Sequence, residues 1–395
     1  MKDLTKLKTF IIDSKDPKEV DDAFSLEFIE GNKKKLWIHI SNPCKLFLID
    51  SKIDIDARSK SSSLYLINQY IPMLPAEIIE KANLKQNKIS DTISASIIFN
   101  DDGSINKYQI VEAKIKPKYQ LLYEDAEEII ELEPKEEFEI IEIKNLLLKS
   151  INYRKKQGAI IFDTPGYKIN IKDGNVEIIN IQKSISHSIV SESMILMGYV
   201  TSLYFFENNI ATPYRTHKIN CDADEILERY KDSDIKYSIL KQYMGKSYIT
   251  TKANKHESLG LLKYTQCTSP LRRYLDLIVQ RQVFNNINNI ERLSHNKINE
   301  LIELTKIKQL ENNNIYKNDK LKYLNIFFKN ELKTSHKIIF IKWINNKKGI
   351  ALVYFPEYSL ELLIVLFISV ETYTCLLYTS PSPRDRTRSR MPSSA

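Results

Sequence analysis

The chain has 395 residues, 43% hydrophobic and 27% charged, which allows a large buried core and excludes a wholly disordered chain. At ~150 residues per domain, two or three domains are expected. The formal net charge is +8 and the pI about 8.9, a mild basic excess that suits a polyanionic partner without requiring one. The longest apolar stretch, Leu362 to Val370, falls short of the ~20 residues that span a bilayer, so no membrane segment is expected. The opening MKDLTKLKTF lacks the apolar core of a signal peptide. Cys44, Cys221, Cys267 and Cys375 show no CxxC spacing, so neither a disulfide framework nor a zinc site is expected, and a cytoplasmic, reducing location fits.

LKTFII reads as a strand, followed by the acidic loop DSKDPKEVDD. AFSLEFIE and KLWIHIS are further strands joined by the turn GNKKK. EDAEEIIELE and FEIIEIKNLLLKSINYRKK carry helical periodicity. AIIF and YKINI are strands, and KDGN is a hairpin turn before VEIINI. HSIVSESMILMGYVTSLYFFENN predicts a long, largely buried helix. RRYLDLIVQRQVFNNI and the segment from Ile298 to Leu332 predict the last two helices. Strands return in HKIIFIKWI, KKGIALVYF and SLELLIVLF. Strands first and helices later argue for an α+β fold.

The end of the chain differs in composition. From Leu376 to Ala395 there are four arginines and no lysine, whereas Lys dominates the rest. This segment reads as disordered and resembles translated sequencing-adaptor sequence, which suggests a shortened gene. A basic RNA-binding arm is the alternative. With four Arg against Asp385 it holds +3 of the +8, leaving +5 on the body.

Asp13 ends the first strand, and Asp16, Glu19, Asp21 and Asp22 follow in the loop. Carboxylates this close repel one another unless a positive charge sits among them. Hard oxygen ligands around one point suit Mg²⁺ or Mn²⁺, which can activate water against a phosphate. A solvated acidic turn has the same spacing, so both readings stand. YTQCTSPLRRYLD, Tyr264 to Asp276, puts Thr268 or Ser269 at a helix N-cap, Pro270 at the first helical turn, and Arg272 and Arg273 in that turn. Arginine there opposes the helix dipole, which points to a task such as gripping phosphate, or to a salt bridge with the acidic loop. Tyr65, Tyr123 and Phe162 lie at element edges, where an aromatic face can stack an unpaired base or simply join the core.

Together and in this order, these pieces resemble the ribonuclease II and ribonuclease R family, exoribonucleases with an RNB-type catalytic domain. IIDSKDPKEVDDAFSLE resembles its acidic signature, LWIHISNP its next strand, and YLINQYIPMLP a following segment. LLYEDAEE, RKKQGAIIFDTPGYKI, ATPYRTHK and HESLGLLKYTQCTSPLRRYLDLIVQRQ match later blocks, so the resemblance runs from about Phe10 to Leu332. It implies a ribonuclease II-type catalytic domain with a central RNA channel over residues 1–333. A partial OB-type RNA-binding barrel would cover residues 334–372 and a non-native disordered tail residues 373–395.

The implied activity is processive, Mg²⁺-dependent 3′-to-5′ hydrolysis of single-stranded RNA to nucleoside 5′-monophosphates, with Mn²⁺ as the alternative ion. By position, Asp13, Glu19, Asp21 and Asp22 fall on the metal cluster. Asp21 and Arg272 fall on the catalytic pair, and Tyr65, Tyr123 and Phe162 on RNA-channel aromatics. Arg273 and Tyr264, in the arginine string, are assigned to RNA as well. The expected partner is single-stranded RNA bound by a monomer, with no membrane and no nucleotide cofactor.

This sequence departs from the family pattern in places. Glu19 stands where the family usually has Asp. Of two adjacent helix glutamates only Glu192 remains, after Ser191, and Gly198 replaces an Asn. The nearest counterpart of a late-helix glutamate, Glu311, is out of register. These departures motivate a second reading, a degenerate RNA-binding protein of the same fold, and a third, a metal-dependent hydrolase of a non-RNA substrate.

Overall fold

Period-two alternation of large apolar residues builds the first sheet. The computed structural model describes residues 1–163, 165–331, 334–366 and 375–379. In chain order, β1 (Lys2–Asp3), β2 (Thr9–Asp13), β3 (Asp22–Ile29) and β4 (Lys33–Ser41) come first. Helix α1 (Lys52–Lys60) follows, capped by Ser51, whose side chain accepts from the Asp54 amide. A short ribbon of β5 (Leu64–Tyr65) and β6 (Tyr70–Ile71) leads to α2 (Ala76–Ala82). The hairpin β7 (Ser90–Phe99) and β8 (Ile105–Ile115) and strand β9 (Tyr119–Leu122) complete a seven-stranded sheet ordered β1-β8-β7-β4-β3-β2-β9. The β1–β8 and β2–β9 pairs are parallel and the others antiparallel.

Helices α3 (Tyr123–Leu132) and α4 (Phe138–Lys156) precede the hairpin β10 (Gly166–Lys172) and β11 (Asn175–Ile181). Its turn residues Asp173 and Gly174 have φ of 50° and 80°, the geometry the KDGN string predicts. Helix α5 (Ile185–Glu207) comes next. Then follow β12 (Tyr214–Thr216), α6 (Ala223–Arg229), α7 (Lys236–Lys241) and β13 (Tyr248–Thr250), which pairs with β12. The last helices are α8 (Tyr274–Ile287) and α9 (His295–Asn330). A second, antiparallel sheet ordered β16-β15-β14-β17 contains β14 (Ser335–Asn345), β15 (Ile350–Phe355), β16 (Leu360–Val365) and β17 (Cys375–Thr379). The fold is thus α+β, as the element order predicts.

On β2, Phe10 and Ile12 enter one core while Ile11 enters the core on the opposite face. On β4, Leu36, Ile38 and Ile40 face the first core and Trp37 the second. Helices α4 and α5 cover the first face with Ile140, Ile143 and Leu147 and with Ile189, Leu196, Met197, Val200 and Phe205. Each fully buried side chain of this size contributes roughly 1.5–3 kcal/mol. Among the described residues, α5 alone is long and apolar enough to cross a membrane by composition, but most of it is buried in this core.

The second sheet has its own core, in which Leu324 of α9 packs with Ile338, Phe340, Val353 and Phe355. The expected boundary between residues 333 and 334 falls between α9 and β14; residues 332 and 333 lie outside the described residues. The tail expectation needs one correction. Cys375–Thr379 is a strand paired antiparallel with β14, its register running from Ser335–Thr379 to Ile339–Cys375. The rest of the expected tail, residues 373–374 and 380–395, lies outside the described residues.

Candidate active site

Strand β2 delivers Asp13 to the sheet end, the loop returns, and β3 opens on Asp22. The loop is fixed in place: the Val20 amide donates to Asn83 Oδ1 at 2.9 Å, and the Ser41 amide donates to the Asp21 carbonyl at 2.7 Å. This brings Asp13 near Asp22, as the strand-end geometry predicts. The Asp13 charge is the second cause, after burial, of an upward shift that takes Asp22 to a pKa of about 7. Burial also raises Asp13, against hydrogen bonds from Ser14 and the charge of Arg272.

Asp21 is the most enclosed of the group, at 3% exposure. Its Oδ1 accepts from the Leu271 amide at 3.0 Å and from Ser41 Oγ at 3.3 Å. Its Oδ2 is buried with no hydrogen-bond donor, and Arg272 Nε stands 3.7 Å away. Burial pushes the Asp21 pKa up to about 8; Arg272 and the Leu271 amide oppose this, and Asp22 and Glu19 add to it.

Glu19, also buried, accepts from Ser63 Oγ at 2.7 Å on Oε1 and from the Tyr65 hydroxyl on Oε2. Both its oxygens therefore face the β5 segment. Among the described residues, no three carboxylate, imidazole or thiol side chains form a ready-made metal cage. The expected quartet is divided: Asp13 with Asp22, Asp21 with Arg272, and Glu19 with Ser63 and Tyr65. Even so, two neighbouring carboxylates shifted to near neutrality and one orphaned buried oxygen mark an excess of negative charge. The oxygen-only donor set fits a hard divalent cation.

Arg272 and Arg273 take different roles. Helix α8 starts at Tyr274, so neither arginine lies in its first turn, and the dipole argument from sequence does not apply. The Arg272 side chain is 44% exposed and, among the described residues, makes no hydrogen bond beyond its approach to Asp21. Arg273 instead gives Nε and Nη2 to Asp276 Oδ2, at 3.0 and 2.6 Å, and Nη2 to Ser269 Oγ at 3.0 Å. Asp276 Oδ2 also accepts from the Ser269 amide at 2.9 Å. Arg273, expected on RNA, is a brace for the turn that presents Arg272.

Tyr264 needs the same correction. It is only 8% exposed, and it packs edge-on against His256 with ring centres 5.5 Å apart. A Cβ at Gly198 would lie 2.4 Å from Tyr264 Cε2 and 2.3 Å from the Thr265 carbonyl oxygen. The absent side chain at position 198 therefore makes room for the buried tyrosine.

The three expected aromatics occupy different settings. Tyr65 is 38% exposed; its ring lies 5.2 Å from Tyr70, and its amide donates to Tyr316 Oη at 2.8 Å. Tyr123 stacks on His187. Its pKa is pushed up to about 12 by burial and by the adjacent Asp22 and Asp13. Phe162 tilts against Tyr237 at 5.2 Å and lines a cleft of about 980 Å³ whose walls include Lys183, His187, Ser188 and Ser191.

Glu192, the remaining helix glutamate, is buried in a two-point ion pair with Arg154 and accepts from Ser150 Oγ at 2.7 Å. Glu311 is exposed and pairs with Lys308 at 2.9 Å. The face of α9 turned to the site instead carries Asn312, Tyr316 and Asp319. Asn312 Nδ2 donates to the Lys60 carbonyl and to Ser62 Oγ, and Asp319 Oδ2 accepts from the Ile67 amide. Sequence reading missed these three; their spacing of four and three along a helix was the available signal. Ser63 and His187 were missed as well, and no local pattern marks either.

The family match is to the RNB domain, over residues 1–289. An uncharacterized ribonuclease of Synechocystis is 33% identical over 284 residues, covering 71% of this chain and 43% of that protein. The chloroplastic/mitochondrial ribonuclease II of Arabidopsis thaliana is 32% identical over 291 residues, covering 71% and 36%. The chain thus spans less than half the length of these relatives. Among solved structures, Mycoplasma genitalium RNase R in complex with ribose-methylated single-stranded RNA superimposes with a TM-score of 0.81 at 19% identity, covering 92% of this chain and 63% of that one. Yeast Ssd1, described as a pseudonuclease, gives a TM-score of 0.71 at 15% identity, covering 92% and 50%.

Proposed function

The chain belongs to the RNB domain family, and from that premise we propose that it hydrolyses single-stranded RNA processively from the 3′ end, releasing nucleoside 5′-monophosphates with the help of Mg²⁺ or Mn²⁺. The observation that carries this reading is the buried, under-compensated carboxylate group facing an unbonded arginine. Among the described residues, the other buried carboxylates, Asp54, Glu112, Glu192 and Asp276, are each ion-paired with an Arg or Lys, whereas this group is left in need of a cation and beside a side chain suited to gripping phosphate.

Asp13, Asp21 and Asp22 would hold the ion, with Glu19 joining if its hydroxyl partners release it. Bound there, a divalent cation supplies Lewis acidity to the scissile phosphate and lowers the pKa of water. Asp21 Oδ2, the oxygen without a donor, would accept a hydrogen bond from the attacking water and so position it. Arg272 neutralises charge that builds on the phosphate oxygens. Its partial exposure lets its fork turn from Asp21 to the substrate. Removing one such donor typically costs ~10²–10³-fold in rate. Glu19 fixes the Tyr65 hydroxyl, which orients the ring toward the entering strand.

The test is incubation of the full chain with 5′-labelled poly(A), with Mg²⁺ or with EDTA. Conversion to one short labelled remnant plus nucleoside monophosphates, only with Mg²⁺, is the expected result. A second reading is favoured by one observation: Glu19 is tied to Ser63 and Tyr65 rather than turned to the other carboxylates. A degenerate RNA-binding protein would shift the RNA on a gel and leave it intact with either ion.

A further inference from the structure

Three rings line the large cleft, Phe162, Tyr237 and His187, and only Phe162 was expected on RNA. Phe162 and His187 both face it, whereas Tyr123 and Tyr65 do not. Tyr123 lies behind His187, ring on ring, with centres 3.9 Å apart and planes 6° from parallel. His187 is not a loose side chain: its Nδ1 shares a hydrogen bond with Ser184 Oγ at 2.8 Å, the same hydroxyl that caps α5. The first turn of α5 is in turn laced to α3. Ser186 Oγ donates to the Tyr123 carbonyl at 2.9 Å, and the Glu127 carboxylate accepts from the Ile185 and Ser186 amides at 3.0 and 2.7 Å. The two rings are thus held as a unit by the framework, and each is half-buried.

We propose that His187 is the stacking platform for an RNA base in this cleft, on the same lining as Phe162, with Tyr123 as the positioning residue that backs it. The inference rests on the RNA-hydrolase reading and deepens it. A flat ring fixed from behind loses little freedom when a base covers its free face, and stacking of this kind tolerates any base. Burial holds the imidazole below its usual pKa, so at pH 7 the ring is neutral and stacks without carrying a charge into the cleft. The arrangement also sets a direction. From cleft to site the order is His187, then Tyr123, then Asp13 and Asp22, whose charges act on the Tyr123 hydroxyl. A base on His187 therefore sits one ring away from the carboxylates.

The test is equilibrium binding of a short oligoriboadenylate carrying 2-aminopurine near its 3′ end, measured with the full chain in EDTA so that cleavage plays no part. The unsubstituted chain is expected to bind it and quench its fluorescence. H187A should lose about tenfold or more in affinity and most of the quenching. H187F, which keeps a flat ring, should retain both, and the double variant H187A/Y123A should bind no more weakly than H187A. Affinity and quenching unchanged in H187A would overturn the proposal, as would an H187F no better than H187A. If the unsubstituted chain neither binds nor quenches, the RNA-hydrolase reading falls, and this inference with it.

Discussion

Two buried carboxylates, Asp21 and Glu192, are almost equally hidden from solvent, at 3% and 1% exposure. Glu192 has both oxygens on the Arg154 guanidinium and one on Ser150. Asp21 has one satisfied oxygen, one orphan, and an arginine that stops at 3.7 Å. A buried charge that is fully paired is a structural element, and removing one partner strands the other. A buried charge left partly unpaired is costly, and such a charge marks a candidate functional site. The difference between the two lies in partnership rather than in burial.

Substitutions can break this contrast. The largest expected effect is on activity at the acidic cluster. Asp22→Asn should abolish RNA cleavage, a loss of at least ~10²–10³-fold in rate, while melting temperature holds or rises because a repulsive charge is gone. Cleavage at the unsubstituted rate would remove Asp22 from the site. At the other carboxylate the expected effect is on stability. Arg154→Ala leaves Glu192 buried without its cation and should cost ~3–5 kcal/mol in denaturant unfolding. Loss of less than a tenth of that would mean the pair is not truly enclosed.

A smaller effect separates packing from chemistry. Gly198→Ala drives a methyl into Tyr264 and the Thr265 carbonyl, and should destabilise the chain by ~1–3 kcal/mol while leaving RNA affinity of the folded fraction intact. Weaker binding at unchanged stability would return Tyr264 to the RNA path.

The last expected effect is a slope with pH rather than a loss at one pH. His39 is fully buried between Ser25 Oγ and Ser94 Oγ, and burial depresses its pKa from 6.5 to about 3. Its unfolded form takes up a proton below pH ~6.5 while the folded form does not. Its contribution is therefore complete above that pH and falls by about 1.4 kcal/mol per pH unit as pH drops toward 3. His39→Gln should flatten the stability profile over pH 6.5 to 4; an equally steep profile would assign the slope to other groups.

How much of this was legible in the sequence follows from where partners lie along the chain. The acidic loop was legible because its members are neighbours in sequence: a strand ending in Asp13 and another opening on Asp22 must bring the two near each other. The long helices and the strands β2, β3 and β4 were legible from periodicity, whereas β7, β8 and β9 of the same sheet were not read from it. Arg273 was misread although Asp276 lies three residues on, because the helix begins at Tyr274, four residues later than an N-cap at Ser269 implies. Tyr264 was misread because its partner, Gly198, is remote in sequence and is a missing side chain. Glu19 carried no sign of being bonded to Ser63 and Tyr65, and the late-helix glutamate could not be placed because polar residues other than glutamate face the site on α9.

Helix α9 has 36 residues, a rod of roughly 54 Å. Its first turns are anchored beside α8 through Ile298, Leu301 and Ile302. Its middle suspends the β5 segment through Asn312 and Tyr316, and its end is mortised into the second sheet through Leu324. Tyr65 thus hangs from a beam fixed at both ends. Its position is set by the alignment of that beam as much as by the loop that carries it, and a shift in the seating of the second sheet tilts the ring.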